Sequence, residues 1–179
     1  MYKVVNCTSQ LELFNNIKQC CWQEKGFEME RNQHSDKFLL IANNGEVGGT
    51  VEFTPSTYMS NFTRDIFKDV ITEDMKVLEI DGYAVLPKYR GVLGMSGIRL
   101  AVQYAEKYKY THAVALCDPK VFHYIHKVYK CDIKQVSDMF FYKGADVIPA
   151  IMDAIVVYEN KHTFKWWKEM TEIKDVVSV

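Results

Sequence analysis

Two stretches of the sequence hold side chains whose types and spacing could do chemistry. In the run Leu78-Glu-Ile-Asp-Gly-Tyr-Ala-Val85, Glu79 and Asp81 share parity, so on a strand they face the same side. A carboxylate in a partly apolar cleft can take up a proton. Two on one face can hold a cationic amine, or simply stand in solvent. Just downstream, Arg90-Gly-Val-Leu-Gly-Met-Ser96 reads as a turn leading into a helix. Unpaired amides at a helix N-terminus attract anions, and Gly91 and Gly94 would let a phosphate approach the backbone. The same order of strand, turn and helix also serves plain packing. Cys117, His123 and His126 have no recognised spacing of nucleophile and base, and the adjacent Cys20 and Cys21 show no zinc-ligand pattern, so no metal is expected.

The elements that must position these residues follow from periodicity. Val77 to Val85 is rich in β-branched and aromatic residues, reads as a strand and is closed by Pro87. After the turn, Met95, Ile98, Val102 and Ala105 recur at helical steps, with Arg99, Gln103 and Glu106 on the opposite face. Upstream, Tyr2 to Val5 is a short strand, and Thr8 or Ser9 caps a helix that buries Leu11, Phe14, Ile17 and Cys21 and ends at Gly26. Residues 28–37 read as a loop. Strands at Phe38–Ala42 and Val47–Phe53 are joined by Asn43-Asn-Gly45, a hairpin signal, and a helix is expected around Phe62–Val70. Downstream come a strand at Ala113–Cys117 and a helix opened by Asp118-Pro119, with Val121, Tyr124, Ile125 and Val128 along one face. One strand is then expected within Ile133–Tyr142, a last strand or strand pair over Pro149–Tyr158, and a closing helix over Lys161–Lys174. Gly82, inside a strand, suits a bulge or a close packing contact. The fold class is α/β (α+β), a single domain over residues 1–179 with a mixed central β-sheet flanked by helices.

Composition narrows the partners. A formal net charge of -1 implies no polyanion, so nucleic acid is not expected. The aromatic, basic stretch His162–Lys168 could suit nucleic acid or a membrane surface, but docking of its aromatics on the sheet is the favoured reading. No signal peptide or membrane span is expected, and five cysteines without scaffold spacing point to free thiols and a cytoplasmic setting.

The order of elements resembles the GNAT acyltransferase superfamily. A narrower resemblance is to its autoinducer (acyl-homoserine-lactone) synthases and long-chain N-acyl amino acid synthases. It rests on Trp22-Gln-Glu-Lys-Gly-Phe27, on Gly49-Thr-Val-Glu-Phe-Thr-Pro-Ser-Thr-Tyr-Met59 with Phe62, and on Leu78–Val85 with Tyr89-Arg-Gly91. Phe122-His-Tyr124 and Gly144-Ala-Asp-Val-Ile-Pro-Ala150 extend it. Three departures stand out. The usual phosphate turn, Arg or Gln, two residues, Gly, one residue, Gly or Ala, has its first glycine one position late at Gly94. Two arginines of the narrower family are replaced by Glu52 and Gly82.

The resemblance implies an N-acyltransferase that moves an acyl group from acyl-CoA or acyl-carrier protein to a small-molecule amine. The alternatives are an autoinducer-synthase-like enzyme making an N-acyl signal, or a catalytically silent acyl-CoA or carrier-protein binding module. It implies Glu79 as the base and Tyr124 as proton donor to the thiolate, where ordinary strand-face and core roles are the alternatives. Donor binding is implied for Tyr83 and Val85 on the strand and for Arg90, Gly91, Val92, Leu93, Gly94, Met95 and Ser96 in the turn. A monomer or homodimer is expected. The residues from Phe53 to Phe67 could wall an acyl tunnel, or be core.

Overall fold

In a computed structural model that describes residues 1–173, the chain forms a mixed sheet with helices on both faces. The strands are β1 (Tyr2–Val4), β2 (Asp36–Ile41), β3 (Val47–Pro55), β4 (Val77–Val85), β5 (His112–Cys117), β6 (Ile133–Gln135), β7 (Phe140–Tyr142) and β8 (Ala145–Asp153). Their order is β1-β2-β3-β4-β5-β8-β6, with β7 pairing the start of β8. Every pairing is antiparallel except β4 with β5. That one parallel pair runs only from Val77 to Glu79 against His112 to Val114. Beyond Glu79 the two strands part, and β5 continues against β8 alone.

Helix α1 (Thr8–Lys25) covers one face of the sheet, with Ile17 and Cys21 packed on Ala84. Helix α4 (Ser96–Tyr108) covers the other, with Leu100, Ala101 and Tyr104 over Phe38, Val51, Phe53 and Leu78. The short helix α2 (Asn61–Phe67) is capped by Ser60, whose hydroxyl accepts from the Thr63 amide at 3.0 Å. No helix among the described residues is long and apolar enough to cross a membrane.

Gly82 forms a bulge. The ladder steps from Glu52–Asp81 to Thr50–Ala84, with one residue between the pairs on β3 against two on β4, and Gly82 has φ +58°. One extra residue reverses the alternation of β4. Leu78 and Ile80 face α4 before the bulge, and Tyr83 and Val85 face α4 after it. Val77 and Ala84 belong to clusters on the α1 and α2 side. Thr50 donates to the Gly82 carbonyl at 2.7 Å, so the bulged peptide is satisfied in the core.

Four expectations change. The stretch Ile133–Tyr142 is two short strands, β6 and β7, because both pair successive parts of β8 with a turn between them. The last strand ends at Asp153, and Ala154–Glu159 is helix α6. Asp153 accepts from the Val156 amide at 3.0 Å, and Ala154, Val157 and Tyr158 are buried. There the cap and tertiary burial override β-branched propensity. After the turn at Lys161–Thr163 and a second turn closed by the Trp167 amide to the Phe164 carbonyl at 3.0 Å, the expected closing helix is a strap without helix; Lys174 lies outside the described residues. Side chains of α4 hold the strap's backbone: Arg99 donates to the Trp166 carbonyl at 2.7 Å, and Gln103 bonds Met170 at both ends, at 3.0 and 3.1 Å. The strap ends in a bridge between Tyr2 and Glu172. Its Phe164, Trp166 and Trp167 dock on the core as expected of the aromatics.

The fourth change concerns the helix after Asp118. Helix α5 (Pro119–His123) passes into a wider π turn over Tyr124–Val128, closed by the Tyr129 amide to the Tyr124 carbonyl at 2.9 Å. The extra residue in that turn rotates Tyr124 and Val128 outward, while Val121 and Ile125 stay on the sheet side.

Candidate active site

The parting of β4 and β5 opens a cleft of about 180 Å³ through the middle of the sheet. One wall is Glu79, Ile80, Asp81 and Tyr83 of β4, and the other is the β5 run from Ala113 to Cys117. Gly97, Ile98 and Ala101 of α4 line it on one face, and Trp22, Phe27, Thr63 and Tyr142 on the other. Most of this surface is apolar, so the few carboxylates in it lose much of their hydration. On the β5 side, the edge of β4 from Ile80 to Val85 has no strand partner, leaving peptide groups there for a ligand.

Glu79 is half-buried in this wall. Its carboxyl is pushed up to about 8, first by burial and then by the neighbouring charge of Asp81, with Glu30 and Glu52 adding to it and the Thr63 hydroxyl opposing. A carboxyl poised near neutrality and reached by an open cleft can accept a proton from a bound amine. Asp81 lines the cleft beside it, as the shared parity predicts.

The turn after β4 is more helical than expected. A 3-10 turn at Pro87–Tyr89 leads into the single turn α3 (Arg90–Leu93), then Gly94 and Met95, then α4. Leu93 and Ser96 point into the core, Val92 is exposed, and a Cβ on Gly91 would meet nothing within 4 Å. Arg90 is engaged by Glu24, with its two terminal nitrogens 2.9 and 2.5 Å from the carboxylate oxygens, and its Nε donates to the Val85 carbonyl at 3.2 Å. The Tyr83 hydroxyl donates to the Gly94 carbonyl, and the Tyr83 ring fills the place a Cβ on Gly97 would take. No side chain caps α4, so its first amides stand ready for an anion beside this turn.

Tyr124 is 54% exposed on its π turn and does not line the cleft, whereas Val121 and Ile125 beside it do. Cys117 lines the cleft, but burial pushes its thiol up to about 12, which makes it an inert wall. Met59 and Phe67 are core under β4 and β5, and Phe62 stacks on Tyr142 at 4.4 Å, so the Phe53–Phe67 stretch serves mainly as packing.

Sequence reasoning missed Glu30, Thr63, Tyr142 and Lys143. Glu30 lies in the stretch read as loop, and Lys143 in the β7–β8 turn. The two meet because residues 26–28 and 143–144 press together: Glu28 donates to the Lys143 carbonyl at 2.8 Å, and Gly26 and Gly144, both at positive φ, touch through their backbones. The two glycines were the available signal. Missed as well was the buried pair behind the wall, Lys18 with Glu52, each 1% exposed. Glu52 occupies the space a side chain at Gly82 would need, with its Oε1 2.5 Å from that Cβ position.

No curated protein matches the chain by sequence. Among solved structures the chain resembles FeeM, an N-acyl amino acid synthase from uncultured soil microbes, at 12% identity and a TM-score of 0.68, over 86% of this chain and 90% of that one. It also resembles TofI, crystallised with an inhibitor and MTA, at 15% identity and a TM-score of 0.68, over 89% and 96%. A third is MesI, a CoA-dependent acyl-homoserine lactone synthase, at 9% identity and a TM-score of 0.66, over 98% and 100%. At such identities the likeness is one of fold. The acetyltransferase (GNAT) family matches residues 8–132, and with its split sheet and cleft the chain belongs to that family.

Proposed function

We propose that the chain transfers an acyl group from a thioester, acyl-CoA or acyl-carrier protein, to the amine of a small acceptor. The observation that carries this reading is Glu79, a carboxyl held near pH 8 on the wall of a largely apolar cleft, next to an unpaired strand edge. The donor's pantetheine arm lies along that edge from Ile80 to Val85, and its phosphates at the turn from Arg90 to Ser96. There the backbone amides and the exposed Gly91 face the ligand; Leu93 and Ser96 take part through the backbone alone. Tyr83 shapes the turn through Gly94, and Val85 packs beneath it.

The amine nitrogen attacks the thioester carbonyl carbon as Glu79 takes its proton. The tetrahedral oxyanion is held by an amide of the β4 edge. The C–S bond then breaks, and the thiolate takes a proton from solvent or from the hydroxyl of Tyr124, which is exposed outside the cleft lining. Because a thiol has a pKa of about 8.5, its departure needs little acid, and the base is the more demanding half of the reaction.

The test is a donor and acceptor screen on the purified chain. Thermal shift with acetyl-, octanoyl- and palmitoyl-CoA reports which donor binds; each methylene that enters the cleft should add about 0.8 kcal/mol. Thiol release on adding amines then reports transfer. Donor binding with no amine ever acylated would make the chain a silent acyl-CoA binder.

A further inference from the structure

Both cations that flank the phosphate turn are already paired with carboxylates. From Leu86 to Arg99 the sequence carries three basic side chains, Lys88, Arg90 and Arg99, and no acidic one. Lys88 reaches Glu46 at 3.0 Å, a carboxylate that Asn44 and the Tyr89 hydroxyl also hold. Arg90 turns both terminal nitrogens to Glu24, at 2.9 and 2.5 Å. Arg99, farther along on α4, donates its Nε to the Trp166 carbonyl. Phosphates arriving at the turn therefore meet backbone amides first, with the nearest guanidinium neutralised.

Glu24 is the more exchangeable of the two carboxylates. It lies in the last turn of α1, where a negative charge opposes the helix dipole, so its own helix does not favour it. Arg90, 66 residues away in sequence, is its partner. Both side chains are 43% exposed, and an ion pair so open to water contributes little and can change partners. A guanidinium takes a phosphate in the same forked geometry as a carboxylate. Its Nε, on the Val85 carbonyl at 3.2 Å, keeps the group at the end of β4 whichever anion it holds. Next to it, the space a Cβ on Gly91 would enter is open. Glu24 itself does not line the cleft.

Resting on the acyl-transfer reading, we propose that Glu24 competes with the donor's phosphates for Arg90 and so sets how tightly the turn holds them. While Glu24 keeps the guanidinium, the turn binds through amide dipoles alone. When a phosphate takes the guanidinium, Glu24 is left unpaired beside a second anion. That opposition weakens acyl-CoA and spent CoA alike, since both carry the same phosphates, and leaves the pantetheine and thioester contacts untouched. Glu24 is a positioning residue: it touches no reacting atom and acts through Arg90. The consequence for turnover is easier release of CoA, a step that limits many enzymes whose chemistry is fast.

The test is calorimetry on the full chain with CoA, acetyl-CoA and S-acetyl-pantetheine, which has no phosphate. Glu24→Gln should tighten CoA and acetyl-CoA about threefold or more and leave S-acetyl-pantetheine within about twofold. The gain should shrink toward nothing in 1 M salt, where the screening length falls to about 3 Å. Glu24→Asp, which keeps the charge, should stay near wild type. Unchanged or weaker CoA binding in Glu24→Gln overturns the inference, because the pair would then order the turn. Equal tightening of S-acetyl-pantetheine overturns it too. If Glu24→Gln does not fold, the carboxyl carbon signal of Glu24 in the unaltered chain decides: it should move and titrate at higher pH on saturation with CoA, and no movement overturns the exchange. Weaker CoA binding in Gly91→Glu with no change in Glu24→Gln sinks this inference and leaves the phosphate turn standing. Tighter CoA in Glu24→Gln with no amine ever acylated keeps the competition and sinks acyl transfer. No CoA binding to either form overturns both.

Discussion

Replacing Glu79 with glutamine keeps the shape and hydrogen-bonding capacity of the side chain and removes its basicity. With a carboxyl near pH 8, about a tenth of the free protein carries ionised Glu79 at pH 7 and about nine-tenths at pH 9. The free-enzyme profile, kcat/KM against pH, should therefore rise about tenfold over that range through ionisation of Glu79. Glu79→Gln should lower kcat by about 10²–10⁴-fold with donor affinity nearly unchanged. Its residual rate should lack the inflection near 8 and climb instead toward the amine's own pKa of about 10. Thiol release from the acyl donor, followed continuously with a chromogenic disulfide, measures all of this. A mutant with wild-type turnover and the same inflection would refute the assignment.

The shift of Glu79 has a stability signature of determined sign. Its folded pKa lies above the ordinary carboxyl value of 4.5, so between the two the folded state holds more protons than the unfolded. Stability should fall as pH rises through that window, and the full penalty should be present above about pH 8. Glu79→Gln has no charge to bury, so its Tm should exceed wild type by more at pH 9 than at pH 5. The added margin should be on the order of a few kcal/mol, or roughly 5–10 °C for a domain of this size. A margin that does not change with pH would show that Glu79 does not titrate in that range.

Gly91→Glu places a negative charge on the turn where a Cβ meets nothing within 4 Å, so the mutant should fold while acyl-CoA affinity drops about tenfold or more; unchanged affinity by calorimetry would move the phosphates elsewhere. Gly82→Ala asks a Cβ to adopt φ +58° at 2.5 Å from the Glu52 carboxylate and should destabilise by about 2 kcal/mol or more, visible as a Tm lower by about 4–8 °C. An unchanged Tm would deny the bulge its need for glycine. Tyr124→Phe should reduce kcat by less than about tenfold, since a thiolate leaves readily without an acid; a hundredfold loss would make this exposed hydroxyl an obligatory proton donor.

The parts of the fold written in local patterns were legible. Asn43-Asn-Gly45 announces the β2–β3 hairpin, Asp118-Pro119 the start of α5, and a glycine in the middle of a β-branched run the bulge of β4. Where tertiary contacts decide, periodicity failed. The β-branched run after Ala154 is helix because Asp153 caps it and α4 buries it. Residues 161–173 are mainly a strap without helix because Arg99 and Gln103 occupy their backbone groups. At the site, the parity of Glu79 and Asp81 was readable, because it needs only the strand. Glu30 and Lys143 were not, since they meet through two backbones more than a hundred residues apart in sequence. The exposure of Tyr124 rests on a single wide turn, which residue types did not signal.

The two positions at which the resemblance expects arginine, Glu52 and Gly82, make structural sense together. Glu52 and Gly82 are neighbours across the β3–β4 ladder, and the absent side chain at 82 is what gives the Glu52 carboxyl its place. A glutamate buried to 1% exposure needs a partner, and Lys18 on α1, equally buried and also bonded to the Glu30 carbonyl at 2.8 Å, supplies it. The lysine's charge is thus spent behind the wall and not in the cleft. Glu52 is a carboxylate neutralised from behind, by Lys18 and by Lys37 at 3.6 Å, and it stands across the ladder from Asp81. On the cleft side of the same strand, Glu79 is raised toward neutrality first by burial and then by the charge of Asp81, with Glu30 and Glu52 adding less. The base strength of Glu79 therefore rests first on the apolar lining of the cleft, with Asp81 beside it as the leading charge effect.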